Sequence, residues 1–289
     1  MIELSKGIST VQFHDYAEVW LQWLGTAGFW VGTNSTSFVI DPYVTRNSRA
    51  TPHQPLKPAD LRTVQAIFLS HGHFDHASDL PAILAESHAT VYGSATALAT
   101  VLNAGVSPGR LQPVRDGDWL DFEEFRAQAF ASRHIRFDIP LVLRGLQRAR
   151  EDILTSLNLA IRYPAGQVIS WRFFINGYSI HHFGSAGSTD VELKQLAHEP
   201  VDILLLPLAG HSHIERTITR YIELLRPRAV ILHHYDDFYP PISAPFDTAP
   251  AVERLRQRFP QTPILTPQIN QKVLLPASGF PSEAIIHQR

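Results

Sequence analysis

Apolar and polar positions alternate through the first quarter of the chain. Glu18 to Leu24, Phe29 to Gly32 and Thr36 to Ile40 alternate or run apolar, and Gly25, Gly28 and Asn34 interrupt them. This pattern predicts three short strands in a meander, the third ended by Asp41-Pro42. Val64 to Leu69 reads as a further buried strand. Thr90 to Tyr92, Trp119 to Phe122 and Arg126 to Ala131 are shorter candidates. The clearest hairpin joins Val168–Ile175 to Tyr178–Phe183 across Asn176-Gly177, a pair that favours a two-residue type I′ turn. Val201 to Leu206 and Ala229 to Leu232 read as buried strands, with shorter ones near Ile264 and Val273.

Helical spacing falls between these strands. Ser78-Asp79-Leu80-Pro81 has the makings of a helix start, and Ser94 to Asn103 reads as a helix with Gly105 just beyond its end. Residues 140–160, Ile214 to Leu225 and Ala249 to Arg258 carry the same rhythm. Strand meanders interleaved with single helices, in two halves, predict an α/β fold: a four-layer αββα sandwich with helices outside two packed sheets. No linker, repeat or low-complexity stretch divides the chain, so residues 1–289 are expected to form one domain.

Composition narrows the function classes. Of the 289 residues, 44% are hydrophobic and 18% charged, an ordinary globular balance. A net charge of −2 gives no electrostatic footprint for nucleic acid. Zero cysteine excludes disulfides, zinc–thiolate sites and a thiol nucleophile. No apolar run approaches the roughly 18 residues of a membrane span. The N-terminus lacks a signal-peptide core, so the expectation is a cytoplasmic protein. Asn34-Ser35-Thr36 matches a glycosylation acceptor with no secretory signal to support it.

Histidine changes the picture. There are 15, against 25 Lys plus Arg, and they cluster. Residues 70–76 read Ser-His-Gly-His-Phe-Asp-His, directly after an apolar strand. In an extended segment His71 and His73 share one face, so they can hold one metal ion together. Asp75 and His76 follow as the chain turns and can face a second position. A purely structural role is hard to sustain, because burying four such groups unpaired is costly. Further candidates stand at later strand ends: His134, Gly184-Ser185 and His233-His234.

With these residues the chain resembles the metallo-β-lactamase superfamily, whose His-x-His-x-Asp-His motif is present as His71, His73, Asp75 and His76. Trp23 to Phe29 and Val39 to Pro42 resemble the branch containing ascorbate-6-phosphate lactonase and the N-acyl phosphatidylethanolamine phospholipase D-like proteins. So do Asp202 to Leu208 and His234 to Asp236. The resemblance implies a metal-dependent hydrolase in which a metal-bound hydroxide cleaves an ester, lactone or phosphodiester of a small molecule. His71, His73 and His134 would bind a first divalent metal; Asp75, His76 and His234 would bind a second. Asp75 would act as ligand or proton acceptor. Zinc is the expected ion, with manganese and iron also suited to these donors.

Ser185 departs from the pattern, standing where the family places a bridging aspartate. A neutral hydroxyl is a poor metal ligand beside a carboxylate. Asp190 is a candidate substitute, and His233 the alternative to His234. Three readings stay open: one metal, two metals bridged by hydroxide alone, or a catalytically degenerate protein that binds a small ligand. His211 and His213 are candidate substrate contacts. Residues 140–160, with Arg144, Arg148 and Arg150, read either as a lid or as a surface helix.

Overall fold

The computed structural model describes residues 19–136, 153–209, 214–241, 243–275 and 287–288. The first strands are β1 (Val19–Gly25), β2 (Gly28–Gly32), β3 (Ser37–Ile40), β4 (Ala66–Phe68), β5 (Thr90–Gly93) and β6 (Leu111–Pro113). With β14 (Lys272–Leu275) and β15 (His287–Gln288) they form one sheet in the order β15-β14-β1-β2-β3-β4-β5-β6. A second sheet uses β7 (Trp119–Asp121), β8 (Phe125–Ser132), β9 (Val168–Ile175), β10 (Tyr178–His182), β11 (Ile203–Pro207), β12 (Ala229–His233) and β13 (Ile264–Leu265). Its order is β13-β12-β11-β10-β9-β8-β7. Each sheet is part meander and part parallel: β3 to β6 and β10 to β13 run parallel, the remainder antiparallel.

Side-chain alternation builds the four layers. In β3, Phe38 and Ile40 enter the core between the sheets, while Val39 faces out to the helical layer. In β4, Ala66 and Phe68 point in and Ile67 points out. The second sheet repeats this, with Ile203, Leu205, Ala229 and Ile231 inward and Leu204, Leu206, Val230 and Leu232 outward. Helices α1 (Phe74–Ala77), α2 (Leu80–Glu86) and α3 (Ala95–Asn103) follow strands of the first sheet, and α4 (Ile153–Arg162) lies between β8 and β9. Helices α5 (Asp190–Leu196), α6 (Ile214–Leu225) and α7 (Ala249–Arg258) cover the second sheet. Phe38 stacks on Phe125 and Phe173 across the two sheets, at 4.5 and 4.6 Å between ring centres. Each such fully buried ring contributes about 1.5–3 kcal/mol through removal from water.

The fold is the α/β sandwich expected from the pattern. The Asn176-Gly177 turn has φ of 47° and 80°, the two left-handed positions that a type I′ turn requires. Several elements differ from expectation, among them the helix Asp190–Leu196, which the pattern did not predict. The strand Leu111–Pro113 was not legible from periodicity, being only three residues long. Phe74–Ala77 is a helical turn inside the histidine motif. The first part of the helix expected over 140–160, with Arg144, Arg148 and Arg150, lies outside the described residues, as do His211 and His213. Among the described residues no helix is long and apolar enough to cross a membrane.

Candidate metal centre

Six side chains converge at the carboxyl ends of the strands, where open α/β sheets form their binding crevices. Residues 71–76 follow β4, His134 follows β8 and His234 follows β12. The motif divides because its backbone changes. Up to His73 the chain is extended (φ −60°, ψ 152°), and from Phe74 it is helical. The extended half sends His71 and His73 to one side, and the helical turn swings Asp75 and His76 to another. The result is two trios: His71, His73 and His134, and Asp75, His76 and His234. Within each, the potential ligand atoms lie within 4.8 Å of one another.

Hydrogen bonds set which ring nitrogens face inward. Asp41 accepts from the Ser70 N–H at 2.7 Å and from the Ser70 hydroxyl at 2.5 Å. The Ser70 oxygen then accepts from His71 Nδ1 at 2.9 Å, leaving His71 Nε2 to face His73 Nδ1 at 3.2 Å. His134 Nδ1 donates to the Ile135 carbonyl at 2.7 Å. His76 Nδ1 donates to Asp41 Oδ2 at 2.9 Å. His234 Nε2 meets Asp75 Oδ2 at 3.3 Å, and its Nδ1 is buried with no hydrogen-bond partner. One carboxylate, Asp41, thus orients a histidine of each trio, in the manner of outer carboxylates at metal sites.

Electrostatics separate the trios. Burial, reinforced by the neighbouring imidazoles, holds His71 well below the usual histidine range. Burial lowers His73 to about 4 despite the opposing pull of Asp75. His134 and His234 are also lowered, chiefly by burial. His76 goes the other way: burial would lower it, but Asp41 and Asp75 outweigh that and raise it. Burial alone would raise Asp75, yet His76 and the bond to His234, followed by the charges of His234 and His73, hold it well below the carboxylate range. Five imidazoles, all but His76 driven towards the neutral form, and an ionised carboxylate converging at close range are a donor set that fits divalent zinc, manganese or iron.

The remaining sequence candidates fall in different places. Ser185 lines the same cavity, and its hydroxyl accepts from the Ile135 N–H at 2.9 Å. The preceding Gly184 has no room for a side chain, since a Cβ there would lie 1.9 Å from Ser70 Oγ and 2.7 Å from Asp41 Oδ2. Asp190 is corrected as a substitute bridge. It opens α5 behind the Thr189 capping box, its side chain is 61% exposed, and it pairs with Arg220 at 3.5 Å. His233, the alternative to His234, stands outside both trios. It shares the inward parity of Ala229 and Ile231, stacks on His182 at 5.2 Å and meets the edge of Phe29. His182 itself donates to the Ala27 carbonyl at 2.9 Å.

Asp79, read in the sequence as part of a helix start, and Asp236, read as part of the branch likeness, support the centre through contacts that the sequence did not reveal. Asp79 accepts from the Val44 and Thr45 N–H groups, both at 2.6 Å, fixing the loop after Asp41. Asp236 accepts from the Thr26 N–H at 3.1 Å and pairs with the buried Arg46, tying the segment after His234 to the first hairpin. Burial lowers that guanidinium to about 10. A serine directly before the motif was the one available signal for Ser70.

Two packed sheets with ligand-bearing loops at one shared edge define the class of fold. The family model described as a β-lactamase superfamily domain matches residues 20–234, and the chain belongs to the metallo-β-lactamase superfamily. A UPF0173 metal-dependent hydrolase of Carboxydothermus hydrogenoformans is 28% identical over 78% of this chain and 87% of its own. Among solved structures, Igni18, a metallo hydrolase from Ignicoccus hospitalis, superposes with a TM-score of 0.64 at 16% identity, covering 89% of this chain and 98% of its own. The isothiocyanate hydrolase from Delia radicum gut bacteria superposes with a TM-score of 0.60 at 16% identity, covering 89% and 99%.

Proposed function

We propose that the protein is a metal-dependent hydrolase that cleaves an ester, lactone or phosphodiester of a small molecule. The convergence of the two trios in one cavity carries this reading, and the likeness to the Carboxydothermus metal-dependent hydrolase supports it. His71, His73 and His134 would hold a first ion, zinc by preference. Asp75, His76 and His234 would hold a second. When bound, such an ion lowers the pKa of a coordinated water to about 7 and polarises the oxygen of the scissile group.

The chain's own groups supply the rest. Ser70 and Asp41 keep His71 in the tautomer whose Nε2 faces inward. Asp41 does the same for His76. Asp75, ionised and buried between His76 and His234, is placed to ligate or to take a proton from the attacking water. Ser185 adds no charge, so the second trio carries a single carboxylate. That observation favours a second reading, a ligand-binding member of the superfamily with an impaired second site.

Elemental analysis combined with a panel of esters, lactones and phosphodiesters tests both. Bound metal with turnover is the expected result. Metal-loaded protein that turns over nothing on the panel would leave the binding reading, and failure to take up any metal would sink the first.

A further inference from the structure

The cavity above the two trios has a volume of about 380 Å³, at the lower end for small-molecule sites. Its floor is polar and its walls are not. Phe74 of α1, Phe238 and Tyr239 after β12, Ile135, and Leu159 and Tyr163 at the end of α4 make up most of the wall. Among the described lining residues the ionisable groups are the six clustered ones and two tyrosines.

These walls are fastened in place. Phe74 packs against Tyr239 at 5.0 Å and against Phe238 at 6.2 Å, and Phe238 sits edge-on to His234 at 5.0 Å. The Phe238 segment is anchored by paired backbone bonds between Thr51 and Asp237, both 2.9 Å. The α4 side is anchored where Gly72, inside the histidine motif, donates to the Ala165 carbonyl at 2.8 Å. The Gln167 N–H reaches Thr96 Oγ1 at 2.7 Å just beyond. The aromatic collar is therefore held beside the reacting groups by the loops that carry them.

We infer that the substrate is an uncharged carboxylic ester or lactone with an apolar acyl arm, which lies against Phe74, Phe238, Tyr239 and Leu159 while its carbonyl faces the trios. This rests on the hydrolase reading and narrows it away from phosphodiesters. An apolar arm gains by leaving water against such walls. A phosphodiester carries a full negative charge, and among the described lining residues no Lys or Arg adds to the ions that the trios would hold to pair with it. In the hydrolysis, water oxygen bonds to the carbonyl carbon, the ester C–O bond breaks, and the alcohol leaves with a proton from that water. No co-reactant is needed.

The experiment pairs turnover with binding. On metal-loaded protein, kcat/KM for p-nitrophenyl acetate, butyrate and hexanoate should rise about threefold per methylene, carried by KM, and exceed that for bis(p-nitrophenyl) phosphate. Phe238→Ala and Leu159→Ala should each flatten that slope; Leu159→Ala is the milder change because its position is helical. Calorimetry on the same protein should show hexanamide binding at least tenfold more tightly than acetamide, and more tightly than diethyl phosphate. A flat chain-length series, or preference for either phosphate compound, overturns the substrate class and leaves the hydrolase reading standing. Hexanamide selectivity with no turnover of any ester or phosphodiester leaves the pocket assignment and removes the hydrolase reading. Absence of both removes both.

Discussion

The two trios share a cavity and follow opposite electrostatic plans. His71, His73 and His134 are three imidazoles that burial drives towards the neutral form, ready to present lone pairs. Asp75, His76 and His234 combine a carboxylate held ionised with a histidine that Asp41 and Asp75 push towards its protonated form. The first trio is a set of donors that burial keeps towards the neutral form. In the second, a cation would compete with a proton that His76 holds more firmly than an ordinary histidine does. Where a bridging carboxylate would tip that balance towards metal, the chain has Ser185, occupied with the Ile135 N–H. The difference teaches that an intact motif does not make two equal sites.

The strongest way to break the comparison is to delete one arm of the neutral trio. His71→Ala should lower hydrolysis about a thousandfold or more and abolish tight binding of the first ion, with the circular dichroism spectrum retained. Full activity in this variant would rule out the proposed role of the first trio. The next largest effect is expected at Asp41, which touches both trios. Its φ of 44° is one that asparagine tolerates, so Asp41→Asn should keep the backbone while removing the charge. Metal affinity should fall 10- to 100-fold, the range for outer-shell partners of metal ligands. Ser70→Ala, which removes the 2.9 Å bond to His71 and a longer 3.5 Å contact with His76, should weaken the first trio more than the second. Equal losses at both trios in Ser70→Ala would contradict the branched arrangement.

How much of this could be read in the sequence depended on how far apart the partners lie along the chain. The motif at 71–76 was legible because four donors fall within six residues after an apolar strand. The boundaries of Ile214–Leu225 and Ala249–Arg258 were legible because helical spacing is local. The family resemblance put His234 ahead of His233 because an aromatic, Tyr235, follows it; in the structure His233 has the inward parity of Ala229 and Ile231, and His234 stands with Asp75 and His76. Asp190 shows the limit of spacing arguments. Five residues from Ser185 says little when a capping box at Thr189 begins a helix in between and turns the carboxylate towards Arg220. The Asp41–Ser70 link joins residues 29 apart through the pairing of β3 with β4, a register that no local pattern encodes. The aromatic collar is similar: Phe238 and Phe74 are far apart in the sequence, and the Phe238 segment is held where Thr51 pairs with Asp237.

A smaller change should sharpen the contrast by making the trios more alike. Ser185→Asp restores a carboxylate beside the cluster. The second ion should bind about tenfold more tightly or better, since a carboxylate is a far stronger partner for a dication than a hydroxyl. Its cost is the lost bond to the Ile135 N–H, about 1 kcal/mol of stability unless the new carboxylate accepts it instead. Metal titration of the two proteins side by side is the measurement, and unchanged affinity for the second ion would mean that some other group already compensates.

The mildest perturbation is pH, and it separates the trios without touching a residue. An imidazole must be neutral to ligate, so each bound proton competes with metal. For the first trio the competition is weaker: His73 is lowered to about 4 and His71 and His134 are also lowered, so each takes up its proton at a lower pH than an ordinary histidine. For the second trio it is stronger, because His76 is raised above 6.5. At pH 6 the neutral fraction of a group at or above that value is a quarter or less, so apparent affinity should fall about fourfold or more. The sign is fixed by direction alone: a raised histidine binds its proton on acidification before a lowered one does. Cobalt(II) titrations at pH 8 and pH 6, followed by visible absorption, should show the second equivalent weakening more than the first. Equal weakening of both equivalents would place the same proton affinity on both trios, and the electrostatic division between them would fall.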